Sequence, residues 1–190
     1  MAVRPRIAGA EPHSRPSMAL LACVAFPLFA LSAGTLDYRS RRIPNWLTVS
    51  GALAALCLSA ISGTPHFLAS LQGFGAALAV GLLLFLLRSL GAGDAKFMAA
   101  VGAWAGLSRL PMAFLFMLGV GAVAALAWSW RKKVLRATLA STATIVGGVM
   151  NAGAPGTPWV GQTAAGRFPY GVGLGLGAII WWLLTGCRLP

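Results

Sequence analysis

The sequence predicts an all-α integral membrane protein, a bundle of about six transmembrane helices. The composition is the first reason: 58% of the residues are hydrophobic, only 9% are charged, and the mean hydropathy is +0.79, outside the range of soluble domains. The second is a series of apolar runs close to the length of about 20 residues that a helix needs to cross the hydrocarbon core. The third is the scarcity of acids, three in 190 residues.

The runs are read in order. The first spans Met18 to Leu36, the second Trp46 to Ser62 and the third Phe67 to Leu87. The fourth covers Ala95 to Leu107, the fifth Pro111 to Trp130 and the last Tyr170 to Gly186. The fourth is short: at about 1.5 Å per residue it reaches about two thirds of the bilayer core. It is either a short tilted helix or part of a broken hairpin around Ser108, Arg109, Leu110 and Pro111. A single helix running through Arg109 and Pro111 is disfavoured by the proline.

No polar stretch is long enough for a second soluble domain, so one six-span domain over 18–190 is expected. Residues 1–17 read as a basic, disordered tail. A cleaved signal peptide ending near Leu31-Ser32-Ala33 is the alternative for this end. Between Trp130 and Tyr170, the residues Leu135, Leu139, Thr142, Val146 and Met150 recur at helical spacing behind Arg131, Lys132, Lys133 and Arg136. That pattern predicts an interfacial segment around 131–166, with a seventh span as the alternative.

Small residues four apart, as in Gly73, Ala77 and Gly81, in Gly102 and Gly106, and in Gly171 and Gly175 with Gly173 and Gly177 beside them, let helix backbones approach closely. Trp46, Trp128 and Trp130 stand near span ends and read as interfacial anchors.

The net charge of +12 would suit nucleic acid in a soluble protein. Here the basic residues lie between apolar runs, so anionic lipid head groups are the expected partner and nucleic acid is not. Ten of the 15 Lys and Arg fall after the first, third and fifth spans, which places those loops in the cytoplasm by the positive-inside rule, against the pull of Arg4, Arg6 and Arg15. Cys23, Cys57 and Cys187 form no C-x-x-C pair, and His13 and His66 stand alone. No metal site, disulfide framework or cofactor is expected.

Glu11 lies in the tail, leaving Asp37 and Asp94 in the apolar body. An ionisable group there is costly and marks a functional site by default. Asp37 follows the first span and Asp94 the third, so one out-and-back hairpin separates them and parity puts both at the same membrane face. Two carboxylates sharing one proton can hydrolyse a peptide bond. The ionised one takes a proton from water, and the neutral one protonates the carbonyl oxygen or the leaving amine. Gly91 and Gly93 in Gly91-Ala92-Gly93-Asp94 would let a substrate strand come close. Simpler roles are an N-cap for Asp94 and an arginine salt bridge for Asp37.

The stretch Asp37-Tyr38-Arg39-Ser40-Arg41-Arg42-Ile43-Pro44-Asn45, the segment Gly91 to Phe97, and Phe168-Pro169-Tyr170-Gly171 resemble, in order and spacing, the type IV prepilin peptidases. The resemblance is nearest to the small CpaA-like form serving Flp/Tad pili, and it extends from about Leu20 to the last span. It implies a bacterial inner-membrane aspartic endopeptidase of the GxGD type, with its active site on the cytoplasmic side, that removes the short basic leader of prepilins after a glycine. It assigns Asp37 and Asp94 as the catalytic pair. Larger family members carry a further N-terminal region with paired C-x-x-C motifs that accompanies N-methylation, so no methyltransferase activity is implied for this chain.

By nearness in sequence, Lys96 and Arg42 are expected to orient substrate carbonyls or the pair itself, and Asn45 is expected to cap the second span. The competing function is a non-enzymatic transport or pilus and secretion assembly subunit using the two acids as proton or cation sites. Pseudopilins are the alternative client of a peptidase.

Overall fold

The computed structural model describes residues 16–40, 42–87, 90–131, 170–187 and 189–190. They form five helices: α1 (Pro16–Ser40), α2 (Asn45–Ser62), α3 (Thr64–Leu86), α4 (Ala92–Arg131) and α5 (Tyr170–Leu184). The first four are long and apolar enough to cross a membrane, and α5 is a shorter apolar helix. The expected N-terminal tail lies outside the described residues except for Pro16 and Ser17, which open α1. The expected interfacial segment and its seventh-span alternative also lie outside them, apart from Arg131 at the end of α4.

α4 is continuous along the chain but forms two spans in space. Gly106 breaks it, with φ 68° and ψ 166°, a conformation open to glycine and strained for residues with a Cβ. The contacts on either side show the reversal. Asp94 lies within electrostatic reach of Asp37, and ten residues further on the Trp104 ring packs edge-on against Phe26 at 5.5 Å. The first arm, 92–105, therefore runs antiparallel to α1. α5 also runs antiparallel to α1, because Gly171 abuts Asp37 while Gly175 abuts Ala30. The second arm, 107–131, runs against α5 in turn, because Gly177 meets Phe116 and Met117 while Gly173 meets Gly121. The short fourth and the fifth spans read from sequence are these two arms, joined as a hairpin. The break falls at Gly106 rather than among Ser108 to Pro111, since only glycine there reaches a positive φ without strain.

Small residues make the packing. Gly81 of α3 backs onto Ala95, and Gly73 and Ala77 face Gly102, so α3 and the first arm approach at backbone distance. Ser70 crosses the same seam, its hydroxyl donating to the Ala103 carbonyl at 2.7 Å. α5 has two glycine faces: Gly171 and Gly175 toward α1, Gly173 and Gly177 toward the second arm.

Aromatic side chains fill the wider spaces. Phe26, Trp104, Trp181 and Trp182 are fully buried and pack at centroid distances of 4.6–6.2 Å. Phe29 stacks on Phe97 at 5.4 Å. The interfacial role expected for tryptophan suits the exposed Trp46 and Trp130, whereas Trp104, Trp181 and Trp182 are core. Trp104 is also tied to α2, its indole N–H donating to the Gly51 carbonyl at 3.0 Å. Outward positions such as Leu20, Leu28, Leu53, Leu83, Leu115 and Val123 are exposed, as suits helices whose outer faces meet lipid.

Asn45 does not cap α2. It is the first helical residue, and the cap position belongs to Pro44, extended at φ −69° and ψ 142° with no side-chain cap bond. Proline cannot donate there, and its fixed φ suits the entry.

Gly102→Leu should wedge α3 from the first arm, because any side chain at 102 meets Ala77 and the Gly73 backbone. Overpacking of about 1–3 kcal/mol is expected, read as a lower thermal midpoint in detergent. Leu115→Ala, on a lipid-facing position, should leave the midpoint close to that of the parent protein.

Candidate active site

Asp37 and Asp94 arrive at the same end of the bundle from different helices. Asp37 occupies the last turn of α1 and is buried, 7% exposed. Asp94 is the third residue of α4. The charge of each carboxylate acts on the other, so the parity read from span order corresponds to real proximity.

Each carboxylate is held by the start of a helix. The Gly91 carbonyl accepts the first helical bond of α4, from Ala95 N–H at 3.0 Å, which makes Gly91 the capping residue. The Gly91 amide in turn donates to the Asp94 carboxylate. Asp94 is thus not the N-cap itself; its side chain bonds back to the cap residue, as an acid at the third helical position does in a capping box. Asp37 is held by α5, whose Gly171 N–H donates to Asp37 Oδ2 at 2.8 Å. Gly171 is the second residue of α5, where backbone N–H groups have no intrahelical acceptor. Both acids therefore sit where a helix N-terminus presents free donors and the positive end of its dipole.

The space for a side chain is closed at Gly171 and tight at Gly91. A Cβ on Gly171 would lie 2.8 Å from Cβ, Cγ and Oδ2 of Asp37, and one on Gly91 would lie 3.1 Å from Asp94 Oδ2. Gly93 faces Ile43, at 3.5 Å from a Cβ built on it, so it seats the turn between α1 and α2 against α4. Tyr170, the first residue of α5, lies within electrostatic reach of Asp94. The start of α5 thereby acts on both acids, Gly171 through a hydrogen bond to Asp37 and Tyr170 within electrostatic reach of Asp94.

Of the flanking cations, Lys96 donates to Asn45 Oδ1 at 2.8 Å, pinning the start of α2 to the first turn of α4. Arg42 and Arg39 are exposed. The part of α5 in the site escaped sequence reasoning, which saw Gly171 as a packing residue. The signal available was the quartet Phe168-Pro169-Tyr170-Gly171, whose Phe168 and Pro169 lie outside the described residues. A cleft of about 240 Å³ opens beside the site between α1 and α5, lined by Gly34, Thr35, Tyr38, Arg39, Val172 and Leu176 among others.

Gly171→Ala is expected to push the Asp37 side chain out of its enclosure. Carbodiimide labelling of Asp37, followed by peptide mass spectrometry, should be weak in the parent protein and several-fold stronger in the variant. Equal labelling would show that the α5 start does not confine this acid.

Residues 24–129 match the model of the type IV leader peptidase family, a stretch that contains both acids. Two relatives, each a prepilin leader peptidase/N-methyltransferase, from Burkholderia pseudomallei strains 1026b and K96243, are 30% identical over 135 residues. Those matches cover 67% of this chain but 43% of each relative, so the chain spans less than half the length of the proteins it matches. No solved structure matches it. With over half its length on the family model and two acids brought together at one end of a helical bundle, the chain belongs to the type IV leader peptidase family.

Proposed function

We propose that this protein is a membrane-embedded aspartic endopeptidase that removes the short basic leader of type IV prepilins, with Asp37 and Asp94 as its catalytic pair. The observation that carries the proposal is the meeting of two carboxylates from separate helices, one of them fixed by the Gly171 amide. Membership of the leader peptidase family supports the choice of a peptide bond as substrate.

In this mechanism the pair holds one proton between its two members, since two carboxylates at short range resist double ionisation. The ionised carboxylate takes a proton from a water molecule as the oxygen attacks the scissile carbonyl. The neutral one donates to the carbonyl oxygen, and the tetrahedral intermediate collapses when the leaving amine is protonated. The Gly171 N–H holds Oδ2 of Asp37 and so fixes the carboxylate plane. The Gly91 amide does the same for Asp94. The cleft between α1 and α5, lined in part by Leu31, Leu176 and Ile179, would receive an apolar part of the substrate.

The site faces the cytoplasm of a bacterial inner membrane in this proposal, supported by the ten of 15 Lys and Arg that follow the odd-numbered spans. The motif resemblance supports the Flp/Tad class of pilin as the client, and Lys96 and Arg42, near the acids in sequence, would orient substrate carbonyls or the pair itself.

Co-expression with a Flp-type prepilin tests the proposal. Leader removal, seen as a mobility shift, is expected in the parent protein and is expected to fall at least 100-fold in Asp37→Asn and in Asp94→Asn separately, with both variants inserted in the membrane at parent levels. Retained processing in either variant would refute the two-carboxylate mechanism.

A further inference from the structure

At the opposite end of the bundle the fold joins two residues that the peptidase mechanism does not use. Cys23 lies two turns into α1, and Cys187 follows the turn that ends α5, where its N–H donates to the Trp182 carbonyl at 3.1 Å. The two are 164 positions apart. The Cys23 thiol nevertheless sits 3.9 Å from the Cys187 carbonyl oxygen and within hydrogen-bonding reach of the Cys187 thiol. Cys187 is held at φ 55°, the only described non-glycine residue with a positive φ, so the chain is turned back on α1 at this point. Both thiols are free and half-buried, whereas Cys57 is exposed on α2.

The register of α1 and α5 accounts for the meeting. The helices run antiparallel, with Gly171 at Asp37 and Gly175 at Ala30. Continuing that register brings the end of α5 to the beginning of α1, about 21 Å along α1 from Asp37. If the acids face the cytoplasm, the cysteines lie at the other side, where cell envelopes are oxidising and disulfides persist.

We propose that Cys23 and Cys187 form a disulfide that staples the outer ends of α1 and α5. The oxidant is a disulfide donor of the envelope, a thiol–disulfide oxidoreductase by class. One cysteine thiolate attacks the donor disulfide and releases a donor thiol, and the second thiolate displaces the remaining donor sulfur. The Sγ–Sγ bond forms, the two cysteine protons leave, and the donor takes up two electrons as two thiols. Burial, then the hydrogen bond to Cys23, push the Cys187 thiol up to about 11, so the exchange needs an efficient donor at neutral pH. The staple ties together the two helices whose other ends hold Asp37, without touching that site.

The side of the membrane rests on the orientation given above; the pairing of the sulfurs does not. Cells are lysed in N-ethylmaleimide, and the full chain is purified, reduced and treated with a maleimide polymer that adds mass per thiol. Two polymer additions after reduction, and none without it, are expected in the parent protein and in Cys57→Ser. Cys23→Ser and Cys187→Ser should each show none. No additions in the parent protein, or additions only in a covalent dimer, overturn the staple. In that event incubation of detergent-solubilised protein with glutathione disulfide locates the error. Oxidation there would show that the thiols meet but face a reducing compartment, and no oxidation would show that they do not meet.

Discussion

The bond from the Gly171 amide to Asp37 is the constraint on which the site depends. A carboxylate enclosed at the end of a membrane-spanning helix needs a donor that is itself fixed, and the first turn of α5 supplies one that its own helix leaves unpaired. The donor comes that close only because residue 171 has no Cβ: any side chain there would fall on Asp37. The same helix start carries Tyr170 beside Asp94. α5, the shortest of the five helices, therefore organises a site whose acids lie on α1 and α4.

The glycines of the bundle serve this one requirement. Apolar side chains gain little by leaving lipid for protein, so association rests on close packing and on interhelical hydrogen bonds. The seam between α3 and the first arm of α4, made by Gly73, Ala77, Gly81 and Gly102, holds the helix that carries Asp94. The two glycine faces of α5 hold it between α1 and the second arm. The hinge at Gly106 lets a 40-residue helical stretch fold back, so that the second arm is available to support α5. The aromatic cluster of Phe26, Trp104, Trp181 and Trp182 then locks α1, the first arm and α5 together away from the acids.

Much of this was legible in the sequence, for identifiable reasons. Span positions follow from hydropathy, and the shared face of Asp37 and Asp94 follows from counting spans. Neither depends on side-chain geometry. The small-residue pattern foretold the close helix pairs because the backbone approach is limited only by what lies at those positions. Three features were not legible. The hairpin break could not be placed at Gly106, since Ser108 to Pro111 carries the stronger local signals and only tertiary packing selects a positive φ. Asn45 looked like a cap, but Pro44 holds that position and the Asn45 amide is engaged by Lys96 across the site. The tryptophans near the end of the first arm and in α5 turned inward because Gly-rich neighbours leave space that only large rings fill. The contribution of Gly171 was hidden as well, because its lack of a side chain reads as packing while its amide holds Asp37.

The central claim is that Asp37 and Asp94 face each other across the start of α5, and cysteine cross-linking measures it directly. In a background with Cys23, Cys57 and Cys187 replaced by serine, Asp37→Cys together with Asp94→Cys is oxidised with copper phenanthroline in native membranes, beside the pair Ile43→Cys and Gly93→Cys, whose Cβ atoms would lie 3.5 Å apart, as a control of known contact. Rapid intramolecular bridging of both pairs is the expected result. Bridging of the control pair alone would place the two carboxylates apart and contradict the site described.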